Sequence, residues 1–447
     1  MKEELPQSWL SVKLGEIATP TRPRRNPKDF SHLPFVGMEQ IQSNTGKLIG
    51  TLLAANMKSS AFHFQKNDVL YGRLRPYLNK VFWADFEGLC SSEFIVFPPS
   101  AIMEPKYLTF YLRTDGFVTF ANQLNKGDRP RVSFDQIADH EIPSPPMPEQ
   151  HRIVAKLEKL LGKVDVCQKR LERIPVILKR FRQSVLAAAC SGRLTEDWRI
   201  ENRVEQRKSI DSEEGEIPPS WKKACIGDVI SELKYGTAKR CAYDKKGIPV
   251  LRIPNIINGT IDHSDLKYAR LSGKQLESLR LQKGDILLIR SNGSVSLVGK
   301  SAIVQRKEIG FAYAGYLIRI RPIGTVIDPL FLNLVLASYD IRMQIEMEAR
   351  STSGVNNINS EEVRAWRFSL PTLSEQKEIV HRINGLFSFA EQIEARYQKA
   401  KAHVDKLTQS ILTKAFRGEL VPQNPNDESA VVMLEKIRRE EEITARN

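Results

Sequence analysis

Cysteine and histidine are scarce in this chain and poorly placed for chemistry. The five cysteines, Cys90, Cys167, Cys190, Cys225 and Cys241, include no close pair, which excludes both a disulfide framework and the thiolate spacing of a structural zinc site. The seven histidines are scattered, and no paired carboxylates or metal cluster stand out. No apolar run comes after the charged start Met1-Lys2-Glu3-Glu4. Neither a signal peptide nor a membrane anchor is expected, and a reducing, cytoplasmic compartment is.

Catalytic motifs are missing too, although two segments imitate them. Gly293-Ser294-Val295-Ser296-Leu297-Val298-Gly299-Lys300-Ser301 is close to a Walker phosphate loop, but five residues separate its glycines where the motif has four. The segment after Ser301 reads as strand, whereas phosphate cradling needs a helix N-terminus there. Ser144-Pro145-Pro146-Met147 is close to the Ser-Pro-Pro-aromatic loop of amino-group methyltransferases. Met147 stands where an aromatic would stack on a flipped base, and no glycine-rich cofactor loop lies upstream. Its counterpart Ser369-Leu370-Pro371-Thr372-Leu373 reads as a rigid link into a helix. No cofactor of its own is expected for the chain.

What the chain does contain is itself twice. Glu149-Gln150-x-x-Ile153-Val154 recurs as Glu375-Gln376-x-x-Ile379-Val380, and Gln183-Ser184-Val185-Leu186 as Gln409-Ser410-Ile411-Leu412, both 226 residues on. Upstream, Leu5-Pro6-x-Ser8-Trp9 matches Ile217-Pro218-x-Ser220-Trp221 at 212, and Gln65-Lys66-Asn67-Asp68 matches Gln282-Lys283-Gly284-Asp285 at 217. A spacer of fixed length is thus joined to a module of variable length, which suggests a measuring element carrying two interchangeable readers.

The spacer has coiled-coil periodicity. Ile153, Leu157, Leu160, Val164, Cys167, Leu171, Ile174, Leu178, Phe181 and Val185 alternate steps of four and three, and Ile379, Ile383, Leu386, Ala390, Ile393, Tyr397, Ala400, Val404, Leu407 and Ile411 repeat that register. Pro148 and Ser374 mark the helix starts, with Glu149 and Glu375 set against the positive end of the dipole. Gly192 and Gly418 mark the stops. Pro175, whose counterpart is Lys401, should break or kink the first helix, since proline lacks the amide donor and clashes with the preceding turn. From Glu375 to Phe416 the second helix would run roughly 63 Å at 1.5 Å per residue, longer than the roughly 34–36 Å of one DNA turn.

Composition points to an acidic polymer as partner. The net charge is +14, of which residues 148–210 carry +7 and residues 374–447 carry none, a balance that favours nucleic acid. Lys169, Arg170, Arg173, Lys179, Arg180 and Arg182 flank the first seam. The variable modules, residues 1–147 and 211–373, read as α+β, with paired runs Val69–Tyr71 and Glu93–Phe97, and Asp285–Ile289 and Tyr316–Ile320. Each then has a helical stretch, near Lys106–Phe120 and Pro329–Glu348.

Polar donors cluster in their loops. In the first module these are Arg22, Arg24, Arg25 and Lys28; Gln40, Gln42 and Asn44; Arg73 and Arg75; and Lys126, Arg129 and Arg131. In the second they are Arg252, Asn255 and Asn258; Arg290, Ser291 and Asn292; and Ser351, Thr352, Ser353, Asn356, Asn357 and Asn359. Arginine bonds guanine bidentately and Asn or Gln does so to adenine, so these types suit base reading in a major groove, while other arginines hold phosphate. Trp9 and Trp221, at matching positions, read as core anchors and not as stacking platforms.

Across essentially its whole length the layout resembles the specificity subunit of type I restriction and modification systems. The resemblance is carried by Pro148-Glu149-Gln150-x-x-Ile153-Val154, Leu178-Lys179-Arg180-Phe181-Arg182-Gln183-Ser184-Val185-Leu186 and Gly192-Arg193-Leu194-Thr195. Their second-copy forms are Ser374-Glu375-Gln376, Leu407-Thr408-Gln409-Ser410-Ile411-Leu412 and Ala415-Phe416-Arg417-Gly418-Glu419-Leu420. It implies two target-recognition domains, residues 1–147 and 211–373, each reading one half of a split double-stranded DNA site. Spacer regions 148–210 and 374–447 would hold them apart as an antiparallel helix pair with a pseudo-two-fold repeat. It also implies two modification subunits that use S-adenosylmethionine on adenine, and two restriction subunits with ATP-dependent translocase and nuclease activity that need Mg. The chain itself would be no enzyme. The competing readings are a self-sufficient DNA methyltransferase, disfavoured by the missing cofactor loop, and a coiled-coil scaffold.

Overall fold

The computed structural model describes residues 5–436 and 439, except 18, 21, 22, 126, 205–216, 258, 349, 353 and 354, and at 348, 350–352 and 355 the backbone alone. Arg22, Lys126, Asn258, Ser353, the charged start at 1–4 and the side chains of Ser351 and Thr352 therefore lie outside the described residues.

Two compact units make up the described chain: one holds the residues up to Leu171 and from Gln398 onward, the other is Glu172–Tyr397. Each combines one module with the start of one long helix and the end of the other. In each, a strand pair joins the module's two ends, Leu10 lying opposite Ser144 in the first and Lys222 opposite Leu370 in the second.

Inside the modules the same pattern is built twice. Val69–Gly72 lies between Val81–Trp83 and Phe94–Phe97, and Ile286–Ile289 lies between Ser301–Ile303 and Leu317–Pro322. Both central strands are apolar without alternation because every residue in them is buried. The turn that enters each one explains a repeated motif. Asp68 Oδ2 accepts from the Gln65 N–H and Asp285 Oδ2 from the Gln282 N–H, each at 2.8 Å. The residue before each aspartate is left-handed, Asn67 at φ 72° and Gly284 at φ 90°, a conformation that glycine and asparagine tolerate best.

Each expected helical stretch is in fact two helices, Pro105–Leu112 and Asp115–Gln123 in the first module, Pro329–Leu336 and Tyr339–Glu348 in the second. A hydroxyl restarts each pair: Thr114 Oγ1 accepts from the Phe117 N–H at 3.3 Å and Ser338 Oγ from the Ile341 N–H at 3.4 Å.

The spacer matches the sequence closely. The first helix is interrupted, Met147–Leu171 then Ile174–Cys190 with Pro175 in its first turn, while Leu373–Phe416 runs unbroken for 44 residues. In the first unit Ile153, Val154 and Leu157 share a core with Leu412, Ala415 and Phe416. In the second, Val185 and Ala189 share one with Ile379, Val380 and Ile383. Start meets end within each unit, so the helices pair antiparallel, and each buried Leu or Ile contributes about 1.5–3 kcal/mol. Seam positions are buried or half-buried except Cys167 and Ala400, which are exposed. Two of the flanking cations are engaged: Arg182 bridges to Glu394 at 2.8 Å and Lys169 to Asp165 at 3.2 Å.

Three repeated motifs converge where module and helices meet. Gly418, at φ 78°, would place a Cβ 2.5 Å from Pro6 Cγ, and Gly192, at φ 81°, one 2.4 Å from Pro218 Cγ. Gln150 Oε1 accepts from the Glu104 N–H at 2.8 Å, and Gln376 Oε1 from the Asp328 N–H at 2.7 Å; each amide donates back to nearby carbonyls. Glu149 and Glu375 are buried and bonded to side chains. They lock this joint, a more specific task than complementing a helix dipole.

Candidate DNA-reading platforms

Past Gly72 the first central strand runs on into Arg73-Leu74-Arg75, held from both sides. The Arg73 N–H donates to Glu93 O at 2.9 Å, its carbonyl accepts from the Val132 N–H at 3.0 Å, and the Arg75 N–H donates to Pro130 O at 2.8 Å. Arg75 is left-handed at φ 51°, a strained conformation for an L side chain. The second module repeats this frame. The Arg290 N–H donates to Tyr316 O at 3.0 Å and its carbonyl accepts from the Ile358 N–H at 2.9 Å, while Ser291 pairs with Asn357 and Asn292 with Asn356. Arg73 is thus the counterpart of Arg290, Arg75 of Asn292, Glu93 of Tyr316 and Arg131 of Asn357.

The side chains differ. In the first platform Arg131 Nη2 bonds Glu93 Oε1 at 2.5 Å. Glu93 Oε2 and the Nε groups of Arg73 and Arg75 are buried without a hydrogen-bond partner, a costly state. In the second, the Arg290 guanidinium lies 4.5 Å over the Tyr235 ring and its Nε donates to Asn357 Oδ1 at 3.2 Å. The Tyr235 hydroxyl in turn accepts from the Ser360 N–H at 2.8 Å. Asn356 Nδ2 donates to Gly293 O at 3.2 Å and Asn292 Oδ1 accepts from the Ser294 N–H at 2.9 Å. Thr352 lies on the neighbouring strand Arg350–Thr352.

Folding therefore gathers Arg73, Arg75 and Arg131 on one platform, and Arg290, Asn292, Asn356, Asn357 and the Thr352 backbone on the other. Arg129, exposed, is in the loop just before Pro130. Arg24 and Arg25 are exposed on a short strand, Arg24 opposite Phe62 with its guanidinium 5.6 Å from that ring.

Several candidates are occupied in building loops. Gln40 Oε1 caps its own turn by accepting from the Gly37 N–H at 3.0 Å, and Gln42 Oε1 accepts from Thr45 Oγ1 at 3.1 Å. Asn255 is 1% exposed; it accepts from the Arg252 N–H and donates to the Asp262 and Asp265 carbonyls. Arg252 holds Asp265 at 2.7 Å, keeping that carboxyl below its ordinary pKa through the hydrogen bond. Glu93, Tyr235 and Tyr316 are not among the loop donors that residue type picks out. Their signal was position, Glu93 and Tyr316 each preceding the strand that pairs with the central one.

Among the described residues no group of three or more His, Cys, Asp or Glu is placed to hold a metal, and no described helix is long and apolar enough to cross a membrane. The segment after Ser301 is strand, against a phosphate loop. The Ser144-Pro145-Pro146 segment links a strand directly into the helix at Met147.

Comparison with known proteins gives a consistent picture. The family model for the type I restriction modification DNA specificity domain matches residues 6–176 and again 218–402. The chain is 37% identical to the type I restriction enzyme EcoKI specificity subunit of Escherichia coli K12, over 98% of this chain and 96% of that one. It is 30% identical to the StySPI specificity subunit of Salmonella potsdam, over 99% and 97%. In fold it is similar to the HsdS subunit from Thermoanaerobacter tengcongensis, at TM-score 0.60, 23% identity and coverage of 94% and 99%. It is also similar to a chain from a study of complex assembly and conformational transition of the type I R-M system, at TM-score 0.71, 22% identity and coverage of 93% and 99%.

Proposed function

Because this chain belongs to the type I restriction modification DNA specificity family, we propose that its two modules, residues 1–147 and 211–373, each read one half of a bipartite double-stranded DNA site. The chain is the DNA-recognition subunit of such a system and not its catalyst. Its partners on this reading are DNA, two modification subunits that use S-adenosylmethionine to methylate adenine, and two restriction subunits that use ATP and Mg, all in the cytoplasm. Regions 148–210 and 374–447 set the distance between the half-sites.

The observation that supports this most is the twofold construction of one platform: a central strand ends on an arginine held by two backbone hydrogen bonds, at Arg73 and at Arg290. Arg75, Arg129, Arg131, Asn292, Asn356 and Asn357 surround these two as donors toward base edges and phosphates, with Arg24 and Arg25 as further candidates. Assembly with the modification subunits, and then mapping of methylated adenines, tests the reading. Two short specified sequences at a constant gap are expected. One continuous sequence, or methylation without sequence preference, would contradict it.

A further inference from the structure

Two modules whose loops differ share one residue at one structural position. Arg73 and Arg290 each leave the central strand with the N–H bonded to the residue before the returning strand and the carbonyl bonded to the N–H of Val132 or Ile358. Their neighbours do not match: Glu93 stands where the second module has Tyr316, and Arg131 where it has Asn357. Resting on the reading of both modules as DNA readers, we infer that Arg73 and Arg290 make the same sequence-independent contact, to a DNA phosphate, while Arg131 and Asn357 read bases.

A residue common to both readers cannot carry the difference between what they read. The group that every sequence presents alike is the phosphate. The guanidinium geometry agrees. Arg73 Nε is buried and Arg290 Nε is spent on Asn357, so in each arginine the terminal amino groups are what is left for a ligand. Tyr235, 4.5 Å from the Arg290 guanidinium, and the Nε bond to Asn357 anchor that fork, and an anchored planar fork suits a phosphate's paired oxygens. The unmatched neighbours carry base-reading chemistry of different kinds. Arg131, aimed by its 2.5 Å bond to Glu93, suits guanine. Asn357, exposed and with Oδ1 turned to Arg290, presents amide donors.

The test uses the full chain assembled with its modification subunits. Binding is measured on the mapped site, and on duplexes changed at each base pair, across a salt series. Arg73→Ala and Arg290→Ala should each weaken binding about tenfold or more on every duplex alike, flatten the log K against log salt slope by about 0.9, and leave the methylated sequence unchanged. Arg73→Lys and Arg290→Lys should restore the salt slope and part of the affinity, since a point charge serves a phosphate but does not bond its paired oxygens. Arg131→Ala and Asn357→Ala should instead relax the choice of base at one position of one half-site. Relaxed base choice with an unchanged salt slope in Arg73→Ala, or a folded Arg73→Lys that recovers nothing, would overturn the assignment. An unsubstituted complex without sequence preference would overturn the reader assignment itself, and is recognised because it fails before any substitution is made.

Discussion

The two joints that tie modules to helices use one motif in two electrostatic settings. In the second unit Glu375, fully buried, accepts from Arg199 Nη1 and Thr195 Oγ1 at 2.7 Å and from Trp221 Nε1 at 2.9 Å. In the first unit its counterpart Glu149 sits beside Trp9 and accepts from the Gln423 amide at 2.7 Å. The cation there stands further out, Arg152 pairing with Asp427 at 2.7 Å. Geometry is kept while charge is redistributed. The glutamate faces the matching tryptophan in both joints, while its other partner differs. That partner comes from the segment after the helix that ends at the joint, 193–199 in one unit and 423–427 in the other.

If this contrast is right, the largest effect belongs to Glu375→Ala, which leaves the Arg199 guanidinium buried without its carboxylate. A loss of about 3–5 kcal/mol is expected, read by denaturant unfolding, with exposure of Trp221 reported by its fluorescence. A loss no greater than that of Glu149→Gln would show that the buried pair does not set the two joints apart.

Next in size is the helix contrast. Lys401→Pro gives the second helix the proline that the first has at position 175, but within an unbroken run, and should cost about 3 kcal/mol or more with a loss of helical circular dichroism. Pro175→Ala should cost little, since the chain already breaks between Leu171 and Ile174. A helical signal that does not rise in Pro175→Ala would mean that the interruption comes from packing and not from the proline.

Smallest is Glu149→Gln, about 1 kcal/mol, with a signature in pH. Burial raises the Glu149 carboxyl above its ordinary value of 4.5 against the opposing Gln423 hydrogen bond and the nearby Arg152 charge. The folded unit thus holds that proton more tightly than the unfolded chain does. The stability it contributes is full below 4.5 and is lost as pH rises through the raised folded value. Glu149→Gln should remove that part of the pH dependence from the first unit's unfolding, and an unchanged profile would contradict the burial argument.

These contrasts also mark what the sequence could reveal. The heptads, the stops at Gly192 and Gly418 and the break at Pro175 are local signals, written within a few residues of the structure they produce. The joint was not legible, because Trp221, Arg199 and Glu375 meet only once the chain has folded back over more than a hundred and fifty residues. Among the site candidates, residue type alone could not separate exposed donors from loop builders. Asn255 and Asn357 are the same side chain, yet one is sealed under its own loop and the other stands exposed. The equivalence of Arg73 and Arg290 was latent in the 217-residue offset of the turns that precede them. Its meaning required the strand partners Glu93 and Tyr316.

The central claim is that the two modules read independently, one half-site each. Exchanging residues 1–147 for the matching module of a relative, and mapping methylated adenines in the reassembled complex, tests it directly. One half-site should change, with the other half and the gap preserved; a change in both halves would contradict the account.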